Sequence, residues 1–378
     1  MKQTAILLVF LLMLPFVQPV QAKAQTPSVL VLEAATGCVL SEENADSRRP
    51  VGTLAKLMTA YLTAREILSG SLSPETVLTA GECVQGMRGA VIWLVPGDRV
   101  TVDDLLMGLL CGNANDAAAV LSEAVSGSSE RFVMDMNAAA FDLGMRDTRF
   151  TSPQGFDDPQ AYSTARDIGR LACAVLQADV LKPYLTTWRT VIREDATPAE
   201  LVNENTLTRT LDGCRGLKAA HSEAAGCCLA AAAEHEGLLV CVIILGETDP
   251  DERFAQARQH IRSAFSTYKV MTPGFAEEFL LPVSVRGGTA SAVQIALDRL
   301  PLLAVPGASQ IDCVTVMPDY LTAPLKAGTP VGRVYFYCED SLLAESALLA
   351  AESVPQMGFR YAFGNAFAAL FREGEDTL

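Results

Sequence analysis

The sequence predicts an α/β (α+β) domain with an antiparallel sheet and helices, followed by a small all-β domain. Three observations carry this expectation. Strand-like runs stand at both ends of the segment before about Tyr268, with helical runs between them. Helical periodicity then disappears until Met357, while short β-like runs broken by Gly and Pro take over. Finally, a chain of 378 residues that is 50% hydrophobic and 19% charged buries at least one sizeable core, and its length suggests two domains.

In chain order, Met1, Lys2 and Gln3 form a cationic head before the apolar run Ala5 to Leu14 and the small-residue stretch Ala22-Lys23-Ala24. This reads as a secretory signal over residues 1–24, too short to span a bilayer, which takes about 20 apolar residues. The protein is therefore expected to be exported. Ser28 to Glu33, the turn Thr36-Gly37, and Cys38 to Leu40 read as a hairpin. Leu54 to Leu68 reads as a helix with Leu54, Leu57, Met58, Tyr61, Leu62 and Leu68 on one face. Leu105 to Leu110 and Ala117 to Val125 give two more, separated by polar Asn113 to Asp116. Thr164 to Leu176 is a further helix and Leu238 to Leu245 a buried strand.

Thr272-Pro273-Gly274 marks a boundary, dividing a first domain, residues 25–271, from a β-rich domain, residues 272–355. The latter contains the runs Leu281 to Val285, Ile311 to Val316 and Gly332 to Tyr337. In the tail, residues 356–378, Phe359, Phe363, Phe367, Leu370 and Phe371 fall at helical spacing. Such an amphipathic helix suits either peripheral contact with a membrane or packing on the β domain.

Composition narrows the function. Lys plus Arg total 29 against 44 Asp plus Glu, a net charge of −15, which argues against nucleic acid as a partner. Ten cysteines without repeated C-x-x-C spacing, and only three His, argue against a zinc site. Most of the cysteines read as small buried hydrophobes. Trp93 is expected to pack, and Asp157-Asp158 to form a solvated loop.

The chemistry centres on Thr53-Leu54-Ala55-Lys56. Residues three apart on a helix are neighbours, so a hydroxyl and an amine would converge near a helix start. A desolvated, neutral Lys can take a hydroxyl proton. Taken alone, the pattern is weak, and a helix-capping Thr with a solvated Lys accounts for it better than a catalytic pair does.

The segment resembles the serine-x-x-lysine motif of the low-molecular-mass penicillin-binding proteins, the serine-type D-alanyl-D-alanine carboxypeptidase family. Further landmarks follow in order: Asn113-Ala114-Asn115-Asp116, Ser152-Pro153-Gln154-Gly155, Arg166-Asp167, Gly216-Leu217-Lys218-Ala219-Ala220-His221, and Ala323-Pro324 with Gly328. The resemblance implies Thr53 as nucleophile and Lys56 as base, with Asn113 and Asn115 completing the catalytic set. It implies substrate binding at Lys218, Ala219, Ala220 and His221, and oxyanion donors from the backbone N–H groups of Thr53 and His221. Arg166-Asp167 would fix a helix. No metal or organic cofactor is implied. The implied partner is a peptidoglycan stem peptide ending in D-Ala-D-Ala, with β-lactams as further ligands, at the cell wall or the outer face of the cytoplasmic membrane.

The motifs are also altered. Thr53 replaces the family's Ser, Asn113 the Ser of Ser-x-Asn, and Ala219-Ala220 the Thr-Gly of Lys-Thr-Gly. A γ-methyl stiffens χ1, and an amide cannot relay a proton as a hydroxyl does. Activity is therefore expected to be weakened. The alternatives are a catalytically inactive pseudoenzyme that binds peptidoglycan or a cell-wall partner, and an enzyme for a different acyl substrate.

Overall fold

The computed structural model describes residues 26–193, 197–275, 280–301, 303–307, 309–338, 341–359 and 363. The signal expected over residues 1–24 lies outside them, as does the tail helix apart from Phe359 and Phe363. Those two rings are exposed and stack with centroids 6.1 Å apart.

β1 (Ser28–Glu33) and β2 (Val39–Glu43) pair antiparallel as the turn signal predicts. The Glu33 carboxylate accepts from the backbone N–H groups of Ala35 and Thr36 and from the Thr36 hydroxyl, fastening that turn. Five helices of nine residues or more follow: α1 (Lys56–Leu68), α2 (Val102–Leu110), α3 (Asn115–Ser126), α4 (Ser129–Asp142) and α5 (Ala165–Gln177). β3 (Cys214–Ser222), β4 (Gly226–His235) and β5 (Leu238–Glu247) then complete a five-stranded sheet of order β2-β1-β5-β4-β3, antiparallel throughout. α6 (Glu252–Thr267) closes this part of the chain.

Side-chain alternation sorts the sheet between two cores. Leu30, Leu32, Cys228, Ala230, Ala232, Ile243 and Leu245 pack with α1–α5. Val29, Val31, Leu229, Ala231, Ala233, Val242 and Ile244 pack with Phe254, Ala257 and Ile261 of α6. A sheet covered on both faces needs near-continuous apolar strands, which β4 and β5 supply. The alanines of β4, all fully buried, let helices approach the sheet closely on either side.

α4 and α6 carry no clear stripe in the sequence; α6 interleaves its few apolar residues with Glu252, Arg253, Gln256, Arg258, Gln259, His260 and Arg262. The helix expected from Leu54 begins instead as a 3-10 turn, Gly52–Ala55, with α1 starting at Lys56. Arg166 pairs with Asp46 and Glu42, and Asp167 accepts from the Asp147 N–H and the Thr148 hydroxyl, so this dipeptide ties the start of α5 to its surroundings.

Beyond α6 every regular element of the described residues up to Val354 is a strand. β6 (Tyr268–Met271) pairs with β7 (Leu303–Pro306). β8 (Ile311–Val316), β9 (Pro330–Cys338) and β10 (Ser341–Ala350) form a four-stranded sheet with Ile295–Leu297. Val293, Val334, Phe336 and Leu348 sit at the centre of its own apolar core.

Gly216 lies at a bulge in β3 with φ +82°, and a Cβ there would stand 2.0 Å from the Leu185 carbonyl oxygen. A left-handed residue without glycine costs about 1–3 kcal/mol before any clash is counted. Gly216→Ala is expected to lower the unfolding free energy by more than about 2 kcal/mol, read from the denaturant midpoint; an unchanged midpoint would contradict this account.

Candidate active site

Lys56 is fully buried, and its Nζ donates three hydrogen bonds: to the Asn113 carbonyl at 2.6 Å, to Asn113 Oδ1 at 2.9 Å and to Asn115 Oδ1 at 2.7 Å. Two features of the α2–α3 connection make this clasp. Asn113 adopts φ +56°, a conformation Asn tolerates better than most residues. Asn115 opens α3, with its Nδ2 donating to the Arg88 carbonyl at 2.6 Å and its N–H to the Ala90 carbonyl at 2.7 Å.

Thr53 and Lys56, expected to converge, form no hydrogen bond with one another. Thr53 Oγ1 is buried and has no partner among the described residues. The physical reason is competition: three oxygens from Asn113 and Asn115 take all of the Nζ donors. An orphaned buried hydroxyl costs about 1–3 kcal/mol, so the turn that holds Thr53 stores free energy a ligand could release.

That turn is held from outside. Gly155 has φ +75°, and a Cβ there would lie 2.2 Å from the Gly52 carbonyl oxygen. The Thr59 hydroxyl of α1 donates to the Pro153 carbonyl, fixing the Ser152–Gly155 loop beside it. Asp157 is not merely solvated: its carboxylate accepts from the Ser222 hydroxyl at 2.6 Å and the Ala224 N–H at 3.3 Å, binding this loop to the end of β3.

β3, the outer strand of the sheet, brings Lys218 to the same region. Lys218 is buried at 2% exposure, and its Nζ donates to the Leu109 carbonyl at 3.4 Å. Ala219 and Ala220 are both buried but belong to different cores: Ala220 to that of α1–α5, Ala219 to that of α6. The Ala219 methyl, expected to line a substrate pocket, instead packs with Leu229 and Phe254. The Ala220 carbonyl accepts from Arg253, which also donates to Cys228 O, and His221 is exposed.

Burial perturbs both lysines, and Lys218 acts on Lys56 as well. Burial first, then repulsion from Lys218, pushes Lys56 well below its ordinary value, while Glu204 and Asp116 pull it back. Burial brings Lys218 down to about 8, again opposed by Glu204. A neutral Lys56 donates only two protons, so one of its three oxygen contacts must loosen when it deprotonates. That loosening frees a lone pair that can accept a hydroxyl proton.

Three contributors were not evident from sequence. Glu204 accepts from Asn113 Nδ2 at 3.2 Å. Asp116, at 1% exposure, accepts from the N–H groups of Ile92 and Leu94 at 3.0 Å and so holds the loop bordering Asn115. Arg193 supports that loop through Ile92 O and Asp98. Trp93, between the two held residues, does not pack as expected; it has φ +60° and is 74% exposed. No spacing rule links Glu204 to Lys218, and only the acidic residue inside Asn203-Glu204-Asn205 hinted at a polar turn. Among the described residues, no group of three or more His, Cys, Asp or Glu could hold a metal ion.

Comparison with known proteins places this geometry. The D-alanyl-D-alanine carboxypeptidase family profile matches residues 16–249, and that of the penicillin-binding protein 5 C-terminal domain matches residues 268–356. The D-alanyl-D-alanine carboxypeptidase DacF of Bacillus subtilis is 28% identical over 339 residues, covering 89% of this chain and 87% of that protein. DacC of Escherichia coli is also 28% identical, over 353 residues, with the same shares covered. The crystal structure of penicillin-binding protein 5 from Haemophilus influenzae shares the fold, with a TM-score of 0.78 at 23% identity over 90% of this chain and all of that one. Penicillin-binding protein D2 of Listeria monocytogenes, in its ampicillin-bound form, aligns at TM-score 0.57 and 27% identity over 63% of this chain and 96% of its own. The profile match covers well over half the sequence, and this chain belongs to the D-alanyl-D-alanine carboxypeptidase family.

Proposed function

We propose that this chain is an exported, cell-wall-facing protein that takes peptidoglycan stem peptides ending in D-Ala-D-Ala and removes the terminal D-Ala slowly, through an ester on Thr53. The observation that carries this reading is the unpartnered Thr53 hydroxyl one turn from a lysine whose burial favours the neutral amine. In the proposed reaction, Lys56 gives up its contact with one Asn oxygen and accepts the Thr53 proton. Oγ1 then attacks the penultimate D-Ala carbonyl, while the N–H groups of Thr53 and His221 stabilise the developing oxyanion. The C–N bond breaks, the amine of the terminal D-Ala leaves with a proton returned from Lys56, and water later hydrolyses the ester. Lys218 attracts the terminal carboxylate. β-Lactams would enter by the same attack on their strained amide.

Two residues support a slow rate. The Thr γ-methyl restricts the rotamer from which Oγ1 can attack, and Asn113 supplies no hydroxyl to carry the proton onward. A second reading, binding without turnover, is favoured by one observation: all three Nζ contacts are to oxygens, the arrangement of an ammonium rather than a base.

Labelled penicillin and D-Ala release from a pentapeptide separate the readings. Thr53→Ala should abolish acylation, and Thr53→Ser should speed it by about tenfold or more; failure of both the native chain and Thr53→Ser to acylate would overturn turnover and leave binding.

Lys218 gives two further expectations. Carboxylate binding requires its charged form, so affinity for the peptide should fall as pH rises through about 8. Its proton is held less tightly in the folded protein than in the unfolded chain, which therefore binds more protons between about 8 and 10.5. Stability consequently rises with pH across that window. Lys218→Met should remove the penalty, stabilising the fold at pH 7 by up to about 3 kcal/mol while abolishing carboxylate binding, as thermal unfolding and peptide titration would measure.

A further inference from the structure

Glu204 is an acid placed by design of the backbone rather than by chance of a surface loop. It sits between two buried asparagines, Asn203 at 3% and Asn205 at 0% exposure. Asn203 holds the upstream side: its N–H donates to the Trp188 carbonyl at 2.8 Å and its Nδ2 to the Thr187 carbonyl at 3.0 Å. Asn205 holds the downstream side, with Nδ2 donating to the Gly216 carbonyl at 3.1 Å, two residues before Lys218. Asn203 Oδ1 accepts from the Asn205 N–H at 2.9 Å and closes the turn on itself. Glu204 itself is exposed, yet its Oε1 reaches Asn113 Nδ2 at 3.2 Å. The turn thus aims a carboxylate at the junction of the Lys56 clasp and the strand carrying Lys218.

This alters what the proposed cleft would attract. There Lys218 would offer one ammonium for a ligand's terminal carboxylate, and Ala219 and Ala220 bring no side-chain donor beside it. Glu204 forms no direct ion pair with Lys218 among the described residues, but held on Asn113 its negative charge lies near enough to favour that ammonium, and a second carboxylate arriving there meets repulsion as well as attraction. We propose that Glu204 is a specificity-determining residue that cancels much of the pocket's preference for a free carboxylate, so that the site accepts peptides with an amidated or otherwise neutral C-terminus about as well as those ending in a carboxylate. The inference rests on the reading of this cleft as the place where a peptide C-terminus meets Lys218.

The test is ligand-observed NMR titration of N-acetyl-D-Ala-D-Ala and of its C-terminal amide at pH 6.5 and low ionic strength. The native chain is compared with Glu204→Gln, which keeps an acceptor for Asn113 Nδ2, and with Glu204→Lys. The native chain should bind the two forms within about threefold of each other. Glu204→Gln should raise the carboxylate-to-amide affinity ratio about tenfold, and Glu204→Lys further, with amide affinity unchanged and the gain shrinking as salt is added. A ratio that neither substitution changes overturns the role of Glu204 and leaves the proposed function standing. Parallel loss of both forms marks a structural role and overturns it too. Binding of neither form by any of the three proteins, each still folded by circular dichroism, overturns the reading of the cleft and this inference with it.

Discussion

The site depends on one buried ammonium-or-amine group and the oxygens that clasp it. Lys56 occupies the first turn of α1 with no exposure to solvent, and an uncompensated charge there would be prohibitive. The compensation comes from one short connection, Asn113 to Asn115, whose backbone must turn left-handed at Asn113 to present both a carbonyl and an amide oxygen to the same nitrogen. Everything else at the site is arranged around keeping that connection in place. Asn115 is tied to Arg88 and Ala90, Asp116 fixes the neighbouring loop, and Glu204 takes the free amide hydrogen of Asn113.

The same clasp sets stability against chemistry. Three acceptors around Nζ satisfy the buried lysine best when it carries a full complement of protons, whereas proton abstraction from Thr53 needs a lone pair. A hydroxyl at position 113 could rotate between donor and acceptor and so follow the lysine through both states; a fixed amide oxygen cannot. The changes at 53 and 113 therefore act on one proton-transfer path. Asn113 makes the resting arrangement more comfortable for the ammonium, while the Thr53 γ-methyl narrows the rotamers open to Oγ1.

Much of this was legible in the sequence. The hairpin at Thr36-Gly37, the helices around Leu57, Leu106, Ala118 and Leu171, and the buried strand at Leu238 all announced themselves through turn chemistry and apolar period. The ordered motifs named Lys56, Asn115 and Lys218, and the structure brings them to one region. Direction was less legible than identity. Nothing in a three-residue spacing says that the Asn oxygens win Lys56 from Thr53, because that contest is decided by residues 57 and 59 positions away in the chain. Strand alternation separates Ala219 from Ala220, but which of the two faces the α1–α5 core depends on where β3 sits in the sheet, and that is not written in the local sequence. α4 and α6 escaped notice because polar residues dilute their buried faces.

One feature of the chain's second half bears on mechanics. α6 runs into β6 without an intervening linker, and β6 is hydrogen-bonded along its length to β7, while Ala304 of β7 packs in the core that α6 shares with the sheet. Such a splice behaves as a strut and not as a tether. A load or torque applied to the distal β strands would be delivered through α6 to the sheet whose outer strand carries Lys218, so the elevation and attitude of that strand would follow whatever holds the far end.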